Sequence, residues 1–314
     1  MTRGVGGLIQ AADYNNIRDK MVLVMGTGST GYGQTDLSST AVSVDTEISE
    51  VRWDNLRTDL LRARQHQTGV DETANITNAA NTTLITEAIF AEYDTFSTTI
   101  TTDNRVCADN QRAVEALITS TPWTSNWNGI LYHQVVVTFS TALQATYFFN
   151  AGGQIRFTAS RTGTAANTKD TEWTNMLGNG TTPSGMGTIF FDYTQTGTVA
   201  GTAAVGRQGT GGAIGFYDLT VTNQQIFITT ATAGSYVAND YNIQARINTA
   251  FGSGTEPTTI TFTIQFRDDV GGSPDEQVTG TLNSVCQMAR PSGSNVSVTA
   301  PTPSQTSITT SPLS

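Results

Sequence analysis

The chain has 314 residues, room for two or three domains, and at 37% hydrophobic it carries enough apolar side chains to build a core. Only 13% of residues are Asp, Glu, Lys or Arg, about half the share of ordinary soluble domains, and the net charge is −10. That balance argues against a nucleic-acid partner, which calls for a basic patch, and against docking on an anionic membrane. No apolar run reaches the ~18 residues that would span a bilayer.

The first helix is marked by Tyr14, Ile17, Met21 and Val24, spaced 3, 4, 3 on one face. Gly26-Thr-Gly-Ser-Thr-Gly-Tyr-Gly33 breaks it. A second helix is predicted from about Glu47 to Gln67, capped by Asp45 or Thr46 and ended by Gly69, with Trp53, Leu56, Leu60 and Ala63 as its apolar stripe. A third candidate runs from about Thr82 to Thr119. On a helical wheel Ile85, Ile89, Tyr93, Phe96, Ile100, Cys107, Val114 and Ile118 share roughly one quarter of its circumference. Continuous, it would be roughly 55 Å long; Thr98-Thr-Ile-Thr-Thr102 is poor helix material and marks a place for a break. So narrow a stripe reads either as one wall of an intramolecular bundle or as a seam between identical copies about a three-fold axis.

From Asn126 the period changes to two. Strands are predicted at residues 131–140, 144–149, 153–160, 187–195, 213–221, 225–230, 236–248, 258–267 and 277–287, with Tyr241–Ile247 and Thr259–Phe266 alternating cleanly. Strands punctuated by Gly, Asn and Pro, with no helix between them, predict an antiparallel β-sandwich, jelly-roll-like. The class is α+β, in three parts: a helical region at 1–122, a Thr-rich sandwich at 123–289, and a Pro/Ser/Thr-rich tail at 290–314 that cannot form a core alone and is expected to be ordered only within an assembly.

Usage within the classes is uneven: 56 Thr and 14 Arg, but only two Lys, Lys20 and Lys169. A surface of Thr, Ser, Asn and Gln reads as a weakly charged shell, as in many extracellular and viral β-proteins. Cys107 and Cys286 stand far apart and form no metal motif. Met1 to Asn16 lack the apolar run of a secretory signal, consistent with synthesis in a reducing cytoplasm.

Few motifs suggest chemistry. Gly26-Thr-Gly-Ser-Thr-Gly31 matches the dinucleotide pattern, yet that mechanism needs a helix directly after the loop to receive the pyrophosphate, and Tyr32-Gly-Gln-Thr follows instead. A histidine dyad would need a Ser or Cys beside His66 or His133, and no G-x-S-x-G exists. Both histidines read as structural. Asp71-Glu72, Asp268-Asp269 and Asp275-Glu276 read as solvated loop pairs, since residues 268–276 match no calcium-loop spacing. Trp123 and Trp127 suit packing at the helix-to-strand junction better than stacking on sugar rings. No catalytic, cofactor or metal residue is expected.

Ile9-Gln-Ala-Ala-Asp-Tyr-Asn-Asn-Ile17, Gly26–Gln34, Trp53-Asp-Asn-Leu-Arg-Thr-Asp-Leu60, Phe148-Phe-Asn-Ala-Gly-Gly-Gln-Ile-Arg-Phe157, Ser160-Arg-Thr-Gly163 and Trp173 resemble recurrent features of structural proteins from marine and cyanobacterial tailed phages. The resemblance covers the N-terminal third and the front of the β-region. It implies a non-enzymatic virion part of the neck, tail, baseplate or a fibre, assembled in the host cytoplasm among other phage structural proteins. With the apolar stripe, it leads to the expectation of a homotrimer joined through Ile85, Ile89, Phe96, Ile100, Val114 and Ile118. Two other readings remain open: a fibre that binds a host receptor or surface glycan, which would show exposed aromatics in the sandwich loops, and a particle-bound depolymerase, which would need facing carboxylates.

Overall fold

The computed structural model describes residues 9–33, 36–78, 85–178, 185–193, 196–199, 214–231, 236–252, 254–269 and 276–312. The chain divides into two compact units, each drawn from three stretches: Met1–Ala113 with Thr146–Gly153 and Arg290–Thr299, and Val114–Ala145 with Gln154–Ala289 and Ala300–Ser314. Each unit thus combines stretches that lie far apart in the sequence.

The first unit is built on α1 (Ala11–Met25), α2 (Glu50–Thr68) and α3 (Glu87–Thr102), which pack pairwise on one another. The stripes read from sequence are the buried faces: Tyr14, Ile17, Met21 and Val24 on α1, and Trp53, Leu56, Leu60 and Ala63 on α2. Three aromatic rings join the helices. Trp53 of α2 meets Tyr14 of α1 at 5.7 Å and Tyr93 of α3 at 5.1 Å, each edge to face. Polar ties fix the surrounding loops. Asp59, fully buried on α2, accepts from Ser38 N at 2.9 Å and Ser39 N at 2.8 Å, while Asn15 exchanges two hydrogen bonds with the backbone of Val42. Gly69, at φ +76°, ends α2 in the left-handed conformation that glycine adopts most easily. The cap of α2 is Ser49, four residues after Asp45.

The long third helix is not formed. α3 stops at Thr102, and the chain then turns through Asp103–Val106, makes a 3-10 turn at Asp109–Gln111, and enters the short strands β1 (Arg112–Val114) and β2 (Ile118–Thr119). Threonine accounts for the stop. The hydroxyls of Thr98, Thr99, Thr101 and Thr102 donate to carbonyls three or four residues back, and β-branched residues in succession weaken the helix further.

The second unit holds a sandwich of antiparallel sheets. Its other strands are β3 (Gly129–Thr138), β4 (Gln154–Thr162), β5 (Thr188–Phe191), β6 (Thr196–Val199), β7 (Gln224–Thr230), β8 (Asp240–Ile247), β9 (Thr259–Asp268), β10 (Thr281–Pro291) and β11 (Thr302–Gln305). One sheet runs β1-β10-β4-β5-β6, with β2 also on β10; the other runs β11-β3-β9-β8-β7. Alternation decides the faces: Ile260, Phe262, Ile264 and Phe266 of β9 are fully buried, as are Tyr241, Ile243 and Ala245 of β8. Phe262 meets Phe157 of β4 at 4.9 Å and Phe191 of β5 at 5.4 Å, so the two sheets face each other across an aromatic core. The α+β class and the antiparallel sandwich agree with the sequence reading. The strand order differs from a jelly roll, because β7, β8 and β9 follow one another as a meander within one sheet.

Three segments depart from expectation. Gln144–Phe149 lies inside a helix, α4 (Ala142–Asn150); Thr141 Oγ1 accepts from Gln144 N at 3.1 Å, and Ala145, Phe148 and Phe149 are buried at helical spacing. A further helix, α5 (Thr168–Leu177), starts at the cap Asn167, whose side chain accepts from Asp170 N. In the expected strand 213–221 the described residues make a 3-10 turn at Phe216–Asp218, not a strand. The tail is likewise part of the folded chain. Val296 and Val298 are buried, with Ser292 N donating to Gln111 O at 2.9 Å in the first unit. In the second, β11 pairs with β3 over Thr302–Gln305, and Ile308 is buried.

Candidate functional site

The six residues expected to form one seam are separated by the fold. Ile85 precedes α3, Ile89 and Phe96 are half-buried on it, and Ile100 is fully buried in the three-helix core. Val114, 55% exposed, and half-buried Ile118 belong to strands of the second unit. No single helix face carries them all, which corrects the expected continuous stripe; of the six, only Ile89 and Phe96 share the half-buried surface of α3.

Each histidine does meet a residue of nucleophilic type. In the first unit His66 Nε2 lies 2.8 Å from the carbonyl of Ala151 and therefore carries the proton, leaving Nδ1 toward Cys107 Sγ at 3.9 Å. In the second unit His133 Nδ1 is 2.8 Å from Ser284 Oγ, and its Nε2 is 3.0 Å from Gln305 Oε1. Gln305 Nε2 in turn donates to Thr119 O at 2.7 Å, which fixes the amide orientation. These arrangements look like a base beside a nucleophile, but they lie inside the units: His66, His133 and Ser284 are fully buried and Cys107 is 5% exposed. Burial lowers both imidazoles to about 4 and raises the Cys107 thiol to about 12. The neutral imidazoles serve as hydrogen-bond connectors, and a buried protonated thiol is inert.

A dense polar cluster is not visible in the sequence. It lies in the second unit around the first turn of α5. Arg161 of β4 and Asp170 of α5 form an ion pair at 2.8 Å with both side chains buried. Asp170 also accepts from Thr279 N at 2.7 Å, Thr279 Oγ1 at 2.6 Å and Ala166 N at 2.9 Å. Although burial alone would raise its carboxyl, these donors and the Arg161 charge hold it below the ordinary range. Arg161 spends its remaining donors on Thr279 O at 2.7 Å and Thr174 Oγ1 at 2.9 Å. The adjacent Lys169 is fully buried and pairs with Asp268 at 3.0 Å. Nearby on β8, burial raises Asp240 to about 6 despite Arg267 at 3.5 Å. The cluster joins β4, α5, the end of β9 and the lead-in to β10.

The remaining motifs also find structural partners. The glycine loop folds back on α1, with Tyr32 N donating to Val24 O at 2.6 Å and Asn150 Nδ2 to Thr30 O at 2.6 Å. A Cβ at Gly31 would collide with the carbonyls of Leu23 and Val24. Among the described residues no helix follows before α2. A cleft of about 310 Å³ opens beside this loop, against Leu23, Thr101 and Arg105. Trp127 packs on Trp173 at 4.9 Å in the sandwich. Asp71 and Glu72 bond within the turn Thr73–Asn75, Asp269 pairs with Arg267 at 2.7 Å, and Glu276 accepts from Tyr236 Oη at 2.5 Å; Asp275 lies outside the described residues. Among the described residues no three His, Cys, Asp or Glu side chains are placed to hold a metal ion, and no helix is long and apolar enough to cross a membrane.

Comparison with protein-family models, with curated proteins and with solved structures finds no match in any of the three.

Proposed function

We propose that this chain is a structural component of a tailed-phage virion, set in the neck, tail or baseplate or in a fibre, and working by assembly and not by catalysis. The observation that carries this reading is where the phage-like sequence features fall. Trp53 is the hub of the three-helix core, Gly31 and Asn150 close the glycine loop, the Ala151 carbonyl receives His66, Arg161 anchors the buried ion pair, and Trp173 fills the sandwich. Each maintains architecture. A sparsely charged, Thr-rich composition suits a part that must persist in a particle. We further propose a homo-oligomer, a trimer by preference, in contact with other structural proteins of the particle; the half-buried Ile89 and Phe96 of α3 are the surviving part of the seam that motivates it. Immunogold labelling of intact particles tests the placement: labels at the neck, tail or its tip support it, and unlabelled particles oppose it.

One observation favours the second reading, a host-glycan-binding fibre. Tyr217, 37% exposed, lies 5.6 Å from Phe251 and 5.0 Å from Phe216, an aromatic group on loops of the second unit. Binding to a host-surface glycan array that Tyr217→Ala abolishes would favour the fibre over an internal part.

A further inference from the structure

We infer that Lys169 and Asp268 become joined by an intramolecular isopeptide bond, a covalent tie between the first turn of α5 and the end of β9. Lys169 Nζ stands 3.0 Å from Asp268 Oδ2, and both side chains are 0% exposed. The ring of Tyr236 covers the ammonium at 5.2 Å and is fixed by its own hydrogen bond to Glu276. The pair therefore sits where bulk water does not compete.

The choice of lysine is informative. The chain has only two lysines beside 14 arginines. Among the described residues, the other buried acids in ion pairs, Asp59, Asp170 and Asp240, are met by Arg62, Arg161 and Arg267. Arginine is the better ion-pair partner, planar and permanently charged, so it cannot act as a nucleophile at neutral pH. Lysine can, once it has given up a proton. Along the 3.0 Å contact one proton passes from Nζ to the carboxylate, converting the ion pair to amine and carboxylic acid. The amine nitrogen then attacks Asp268 Cγ. The N–C bond forms, the C–OH bond breaks, and the hydroxyl leaves with the second amine proton as water. Ammonium plus carboxylate gives amide plus one water, with no oxidant, reductant or co-reactant. The contact already holds the two groups together, replacing a bimolecular encounter by an intramolecular one. The tie would close a loop between residues 99 apart in a chain whose two cysteines are both free.

The test is the intact mass of the purified full-length protein under denaturing conditions. The wild type should be lighter than its sequence by one water, and trypsin should fail to cut after Lys169, yielding one branched peptide containing both residues. Lys169→Met and Asp268→Ala should each show the full mass. A wild type of full sequence mass, cleaved normally after Lys169, overturns the proposal, and that measurement is decisive even where a variant does not fold.

Discussion

Replacing Asp170 by alanine should be among the most damaging single changes in the sandwich. It removes the carboxylate from a pair at 2.8 Å and leaves the Arg161 guanidinium, 1% exposed, without its counter-charge. It also strips the acceptor from Thr279 N, Thr279 Oγ1 and Ala166 N. Breaking a buried pair in this way costs about 3–5 kcal/mol, because the orphaned charge stays in the interior. For a unit of this size each kcal/mol lowers the melting temperature by roughly 2–4 °C, so a fall of roughly 6–20 °C is expected. Trp127 and Trp173 lie in the same unit and report its urea unfolding by fluorescence. Asp170→Asn, which keeps the shape and loses the charge, should fall between wild type and alanine. In a cycle with Arg161→Ala, the double mutant should lose much less than the sum of the singles. A loss below about 1 kcal/mol for Asp170→Ala, the worth of an exposed surface pair, would refute the reasoning.

Two further predictions concern pH and the C-terminal segment. His66 in the first unit is held near 4 by burial, below its unfolded value of 6.5, so it contributes stability above pH 6.5 that is lost as pH falls toward 4, in total about 3 kcal/mol. His133 acts with the same sign in the second unit, but Asp240, raised to about 6, acts with the opposite sign, taking up a proton on folding between pH 6 and 4. Denaturation followed from pH 7 to 4.5 should therefore show the helical unit weakening while the sandwich holds, and Asp240→Asn should make the sandwich acid-sensitive too; a helical unit indifferent to pH would contradict this. Deleting residues 300–314 removes the β11–β3 ladder and the Gln305 partner of His133, so the sandwich should lose about 3 kcal/mol or more in urea titration, whereas a dispensable tail would change nothing.

What could be read from the sequence was periodic and local. The buried faces of α1 and α2 follow from 3-4-3 spacing, and β8 and β9 from clean alternation. The long helix failed because wheel geometry ignores what successive threonines do to a backbone. Thr146, Tyr147, Phe148 and Phe149 are strand-like residue types, so the α4 segment reads as a strand in sequence, and only the Thr141 cap points to a helix. The tail's composition cannot form a core alone and so predicts order only within an assembly, yet a few apolar side chains, Val296, Val298 and Ile308, are buried where other segments supply the rest of the core. Both histidines are buried and hydrogen-bonded within their own units. The Arg161–Asp170 and Lys169–Asp268 pairs could not be read, since partners 9 and 99 residues apart meet only through the topology. The available signals were the Asn167 cap and the rarity of lysine.

The most direct test of the proposed virion role is quantitative mass spectrometry of particles purified from a culture that produces this chain, after nuclease treatment and a high-salt wash. A structural component remains with the particles at a fixed copy number, a multiple of three if the trimer holds. Finding the chain only in the particle-free supernatant of the lysate would contradict the account.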